Sequence, residues 1–119
     1  MGQKAAAITD HGVTSGWVQW GLACKENGIK PIYGCEFYVV DKLENNGQKK
    51  YHLTLLAKNV KGYQNILKLT SKAWTEGFYY KPTVDWKLIK EHSEGVIALS
   101  GCISSKLSQM IRNNEPGIE

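Results

Sequence analysis

The sequence predicts an α/β fold, a sheet or barrel of mostly parallel strands alternating with helices. Two observations carry that prediction. Short continuous apolar runs recur between segments of helical periodicity, the pattern of strands that a parallel sheet buries on both faces. Most of the metal-capable residues stand beside those runs, and α/β barrels build their chemistry from strand ends, where loops gather residues around one pocket. A complete barrel takes about 250 residues, so a chain of 119 residues is expected to hold one domain, or a piece of one, and an incomplete barrel.

Ala5 to Thr9 reads as the first strand, too short and too continuous for an amphipathic helix. Thr14 or Ser15 can cap the helix that follows, in which Val13, Trp17, Trp20 and Cys24 fall at helical spacing and Gly28 closes the C-terminus. Cys24 is therefore core packing. Lys30 to Val40 is a second strand, β-branched and aromatic, with Gly34 as a bend. Glu44-Asn45-Asn46-Gly47 is a turn signal before the third strand, Tyr51 to Ala57. Asn59 suits the cap of a helix whose Tyr63, Ile66, Leu67, Thr70 and Trp74 share a face, and Gly77 ends it. Phe78 to Pro82 reads as a polar-aromatic connection, followed by a short helix through Trp86 and Ile89. Ser93-Glu94-Gly95 turns the chain into a strand from Val96 to Leu99. Ser104 or Ser105 caps a last helix with Leu107, Met110 and Ile111 inward, and Asn113 to Gly117 reads as its stop.

The net charge of +4 comes almost entirely from lysine, with Arg112 the only arginine. The lysines are scattered, Lys49 and Lys50 in a loop and Lys61, Lys68 and Lys72 on one helical face. This reads as a solvated surface, because binding a phosphate backbone needs the charge gathered in a stripe. Three widely spaced cysteines form neither a disulfide framework nor a zinc-knuckle pattern, which fits a reducing compartment. The apolar run from Ala5 to Ile8 is too short for a signal-peptide core or a membrane span. A soluble, cytoplasmic protein is expected, with no membrane partner.

His11, Glu36, His52 and Cys102 form the candidate metal cluster, with Asp10 beside it. Imidazole and thiolate suit zinc, and a carboxylate can bridge two ions or favour manganese. Paired metals of this kind activate a water and brace the oxygens of a phosphoester under attack. Each residue also has a structural reading, which is favoured when it is taken singly. Asp10 can cap the next helix or support His11 from behind. Glu36 can be an exposed position on a half-buried strand, His52 a hydrogen-bonded strand residue, and Cys102 a small buried apolar one. His52 stands before its apolar run instead of after it, and spacing alone does not explain how it would reach a common pocket. His92 reads as a cation at a helix C-terminus. Trp74, Tyr79 and Tyr80 can stack on bases, but Trp74 falls on the apolar helix face and reads as core or interface packing.

Taken together, Ile8-Thr9-Asp10-His11-Gly12, Gly34-Cys35-Glu36, Tyr51 to Asn59 and Ser93 to Cys102 resemble the PHP (polymerase and histidinol phosphatase) domain. Gly62-Tyr63-Gln64-Asn65 and Glu76 to Pro82 extend the likeness to its branch in bacterial DNA polymerase III alpha subunits. The resemblance implies a PHP-type distorted barrel over residues 1–119, lacking the family's opening H-x-H motif and its later aspartate and histidine motif. It places His11, Glu36, His52 and Cys102 at ligand positions for zinc or manganese. For the parent protein it implies a magnesium-dependent DNA polymerase working with DNA, replisome subunits and a proofreading exonuclease subunit. Metal-dependent 3′-5′ exonuclease or phosphoesterase chemistry would belong to the intact domain, and the fragment alone is expected to be inactive and to self-associate. Two other readings stand beside it: a stand-alone histidinol-phosphatase-like phosphoesterase, and a non-catalytic platform for the exonuclease.

Overall fold

A computed structural model describes residues 2–45 and 47–115. Six strands and four helices follow in the order β1 (Ala5–Ile8), α1 (Trp17–Glu26), β2 (Lys30–Val40), β3 (Tyr51–Ala57), α2 (Val60–Thr75), β4 (Phe78–Tyr79), β5 (Lys81–Asp85), α3 (Trp86–Glu91), β6 (Val96–Ala98) and α4 (Lys106–Arg112). The strands join in the order β4-β5-β2-β3-β6, with β1 beside the first half of β2. The sheet is open, so the described residues form no closed barrel.

The long strand β2 is the axis of the molecule. β1 runs parallel along its first half, Ala5 opposite Lys30 and Ile8 opposite Tyr33, and β5 runs parallel along its last residues, Tyr38 to Val40. On its other edge β3 is antiparallel, and β6 is antiparallel to β3. The mostly parallel arrangement expected from the sequence is thus corrected to a mixed sheet. The reason is local: the described residues of the link from Asp41 to Lys50 contain no helix, and a chain that returns without a crossover must pair antiparallel. Asn46 of the expected turn lies outside the described residues, as do Pro116 and Gly117 of the expected stop.

One face of β2 and β3 carries Cys35, Phe37, Val39 and Leu55 into a core closed by Ile66, Leu69 and Ala73 of α2 and by Trp17 of α1. Asn59 caps α2 as expected, accepting from the Gly62 amide at 3.0 Å. The buried seam of α2 runs through Gly62, Asn65, Ile66, Leu69, Thr70 and Ala73, which leaves Leu67 and Trp74 off it. Trp74 is 48% exposed, so of the expected core or interface placement it is not in the core; its indole Nε1 donates to the Gly12 carbonyl at 2.8 Å and its ring stacks on Phe78.

Other details sharpen the reading. Gly16, not Thr14 or Ser15, is the N-cap of α1; it makes no side-chain cap, and a Cβ there would lie 2.9 Å from Ile8 Cδ1. Gly28, at φ +66°, ends α1 as expected. Gly34 lies within β2, where the pairing passes from β1 to β3 and a Cβ would sit 2.6 Å from the Leu55 carbonyl oxygen. The expected connection at Phe78 to Pro82 is instead a tight hairpin, β4-β5, with Tyr80 at φ +60° at its tip. A proline and a lysine within a five-residue run had masked β5, whose buried Val84 anchors it to β2. Asp85 caps α3 through the Leu88 amide, His92 places Nδ1 2.9 Å from the Leu88 carbonyl, and Ser105 caps α4. Leu107 and Ile111 of α4, expected inward, are exposed.

Candidate functional site

The antiparallel turn of β3 assembles the site. His52 opens β3, so it lies where β2 is ending, opposite Tyr38, while Glu36 lies opposite Thr54. Residues two apart on a strand share a face, so Glu36, Tyr38, His52 and Thr54 all stand on the face away from α2. There His52 Nδ1 lies 2.7 Å from Glu36 Oε1. The position of His52 before its apolar run, puzzling in one dimension, is what an antiparallel strand requires.

Beyond Ile8 the chain stays beside β2. The Glu36 amide donates to the Asp10 carbonyl at 2.9 Å, the Gly12 amide donates to the Glu36 carbonyl at 2.8 Å, and His11 bridges to Glu36. His11 Nδ1 thereby comes within 3.4 Å of the same Oε1, with its ring 6.0 Å from that of His52. Glu36 is 22% exposed, His52 28% and His11 62%, so the carboxylate is the sheltered centre of the cluster. Asp10 contributes through its carbonyl, which also accepts from Cys35 Sγ at 3.5 Å, while its carboxylate faces Gly16.

Cys102 arrives from the other side. After β6 the Leu99 amide donates to the Thr54 carbonyl at 2.9 Å and the His52 amide to the Ser104 carbonyl at 3.2 Å, so Leu99 to Cys102 run back along β3. Glu36, His52, Thr54 and Leu99 to Cys102 line one open cleft of about 400 Å³. A larger apolar trough, about 630 Å³, lies at the opposite end of the sheet between Tyr33, Leu56 and Ile97, and holds none of the candidate groups. Three of the four candidate ligands, Glu36, His52 and Cys102, line the smaller cleft.

The structure therefore brings His11, Glu36 and His52 together and sets Cys102 on their cleft. The donor set, two imidazoles, one carboxylate and one thiol, suits a zinc- or manganese-like ion in kind. Among the described residues, however, no three His, Cys, Asp or Glu side chains are disposed as an assembled cage, the two imidazoles being turned onto the carboxylate. Cys35 is a different case: burial pushes its thiol up to about 12, so it stays protonated inside the core. Sequence reasoning missed Tyr38, whose ring lies 5.3 Å from His52 and 6.2 Å from His11, and Lys81, whose Nζ lies 4.4 Å from the Tyr38 ring centre. Strand parity was the available signal, since Tyr38 is two residues beyond Glu36.

The mixed α/β sheet collects imidazole, carboxylate and thiol groups at one end of its central strands. The chain belongs to the PHP domain family, whose model matches residues 1–119. It is similar to proteins named DNA polymerase III subunit alpha: 46% identical to that of Chlamydia muridarum over 97% of this chain, 45% to that of Treponema pallidum over 93%, and 44% to that of Thermus aquaticus over 90%. The chain spans only about 10% of the length of these relatives.

Proposed function

We propose that this chain is a portion of the PHP domain of a DNA polymerase III alpha subunit and serves in DNA replication. The observation that carries the reading is 40–47% identity to proteins of that name from several bacteria along nearly the whole chain. The parent transfers nucleotides to a primer end with magnesium, in the cytoplasm, with DNA and replisome subunits as partners. No helix among the described residues is long and apolar enough to cross a membrane.

His11, Glu36, His52 and Cys102 would hold a zinc or manganese ion, with Asp10 fixing the approach of His11 to β2. When bound, the ion supplies a Lewis acid and an activated water suited to phosphoester hydrolysis, including 3′-5′ removal of a nucleotide. The chain's own contribution is positional: Glu36 is pinned through its amide and its carbonyl to the Asp10–Gly12 segment, and both imidazoles are turned onto it. A platform role for a proofreading exonuclease draws on the apolar groups left at the surface, Ile97, Leu99, Ile103 and Ile111 among them, which also support self-association. A small stand-alone phosphatase is the weaker reading, given the names and lengths of the relatives.

The test is the protein encoded by the parent reading frame. It should extend a primed template, and its zinc or manganese content should fall in Glu36→Gln while extension persists. A parent of phosphatase size, or one that does not extend a primer, overturns the reading.

A further inference from the structure

Lysines scattered along the sequence are brought by the fold into register with aromatic rings beside the cleft. Tyr79 and Lys81 are cross-strand partners in the β4-β5 hairpin, so their side chains leave the same face. Lys50, from the loop before β3, places its Nζ 5.4 Å from the Tyr79 ring centre. Lys81 lies over Tyr38, and the Tyr38 ring meets His52 edge-on. A continuous row thus runs from the hairpin to the His11–Glu36–His52 cluster, alternating ammonium groups and aromatic rings. Among the described residues neither Lys50 nor Lys81 is within ion-pair distance of a carboxylate, whereas Lys61, Lys72 and Lys106 are paired. At the outer end Tyr80 is 83% exposed and packs edge-on against Tyr79 from a left-handed backbone conformation.

Isolated surface cation–π pairs are common and carry little meaning. This row differs in three respects: among the described residues its lysines have no carboxylate partner, its outer rings, Tyr79 and Tyr80, are exposed while Tyr38 is half-buried beside His52, and it leads into a cleft of acid–base and metal-capable groups. Alternating rings and positive charges match the alternating bases and phosphates of a single strand, whose bases stack on aromatic faces with little regard to sequence. A duplex offers no free base faces for such rings.

We infer that the row Lys50–Tyr79–Lys81–Tyr38, with Tyr80 at its entrance, is a binding track for single-stranded DNA that delivers a strand end to the cleft. The inference rests on the proposed function only for the purpose of delivery; binding along the track needs no metal. It is tested by fluorescence anisotropy with the whole chain and a 5′-fluorescein-labelled thymidine 12-mer, at low salt in EDTA.

The wild-type chain should bind the oligomer, and bind a duplex of equal length more weakly. Tyr80→Ala, at a site too exposed to unfold the chain, and Tyr79→Ala should each weaken binding about five- to a hundredfold. Lys81→Gln should weaken it and reduce the salt slope by about 0.7. Lys68→Gln, on the outer side of α2, removes the same charge and should leave affinity within about twofold. Equal losses in Lys68→Gln and Lys81→Gln, or no loss in either tyrosine variant, overturn the track. So does displacement of the oligomer by poly-glutamate as effectively as by unlabelled thymidine oligomer, which would mark an acidic-peptide surface. Because the readout excludes metal, metal content unchanged in Glu36→Gln with DNA binding intact would count against the metal reading alone.

Discussion

Replacing Gly62 by alanine sets helix propensity against packing, and the two predict opposite signs. Gly62 lies in the first turn of α2, where alanine in place of glycine favours a free helix by about 1 kcal/mol. In the folded chain a Cβ at this position would collide with the Gly95 carbonyl oxygen and stand 2.6 Å from its carbon. Gly95, at φ +72°, has the same problem in return, its own Cβ position lying 2.7 Å from the Gly62 amide nitrogen. Both partners are backbone, so relief requires moving α2 off the turn that feeds β6. That movement strains three bonds: Asn65 Nδ2 to the Glu94 carbonyl at 2.8 Å, the Lys58 amide to the Gly95 carbonyl at 2.9 Å, and the Asn59 cap at 3.0 Å. Overpacking costs about 1–3 kcal/mol, and each strained bond about 1 kcal/mol at most, against a propensity gain of about 1. The net expectation is about 2–4 kcal/mol of destabilisation, a drop in Tm of about 10 °C or more. Urea and thermal unfolding followed by circular dichroism measure it. A Gly62→Ala chain as stable as the parent, or more so, would refute the packing argument and leave propensity as the governing effect.

Three further outcomes are expected. Dialysed chain should retain zinc or manganese at well under one ion per chain, because among the described residues no three His, Cys, Asp or Glu side chains form an assembled cage, and a His11→Ala, Glu36→Gln double variant should retain less; elemental analysis showing two or more tightly held ions would contradict this. Of the three cysteines, only the exposed Cys102 should react rapidly with a thiol reagent, Cys24 and Cys35 following on denaturation, and Cys102→Ser should abolish the fast phase. The chain should associate with rising concentration in light scattering, since burying a few hundred Å² of apolar surface contributes several kcal/mol at about 25 cal/mol per Å², before entropy losses; a monodisperse monomer at high concentration would count against this.

Local chemistry made much of the chain legible before any fold was known. β2 and β3 fall where apolar and β-branched residues predict them, and Asn59, Gly28 and Ser105 act at the helix ends that their side chains or backbone freedom suggest. The β4-β5 hairpin was not legible, because its strands are too short for periodicity and carry a proline; pairing with β2, not propensity, makes β5 a strand. The buried seam of α2 was displaced from the expected one because the helix is oriented by the glycine contact with Gly95 and by Ala73 and Leu69 in the core, which leaves the largest side chain, Trp74, to bond Gly12.

The sequence by itself determined the element types outside the β4-β5 hairpin, the family and the identity of the candidate groups, because these depend on residue chemistry and short-range spacing. Only the tertiary structure decided that β3 returns antiparallel. That single reversal carries His52 from the wrong end of its strand to within 2.7 Å of Glu36, and brings the loop bearing Cys102 back along it. The parallel pairing of β5 with β2, also a tertiary outcome, sets Lys81 over Tyr38 beside the cleft. Strand direction is set by how the chain between two strands returns and by which edge is free to pair, so residues far apart in sequence meet only once the sheet has formed.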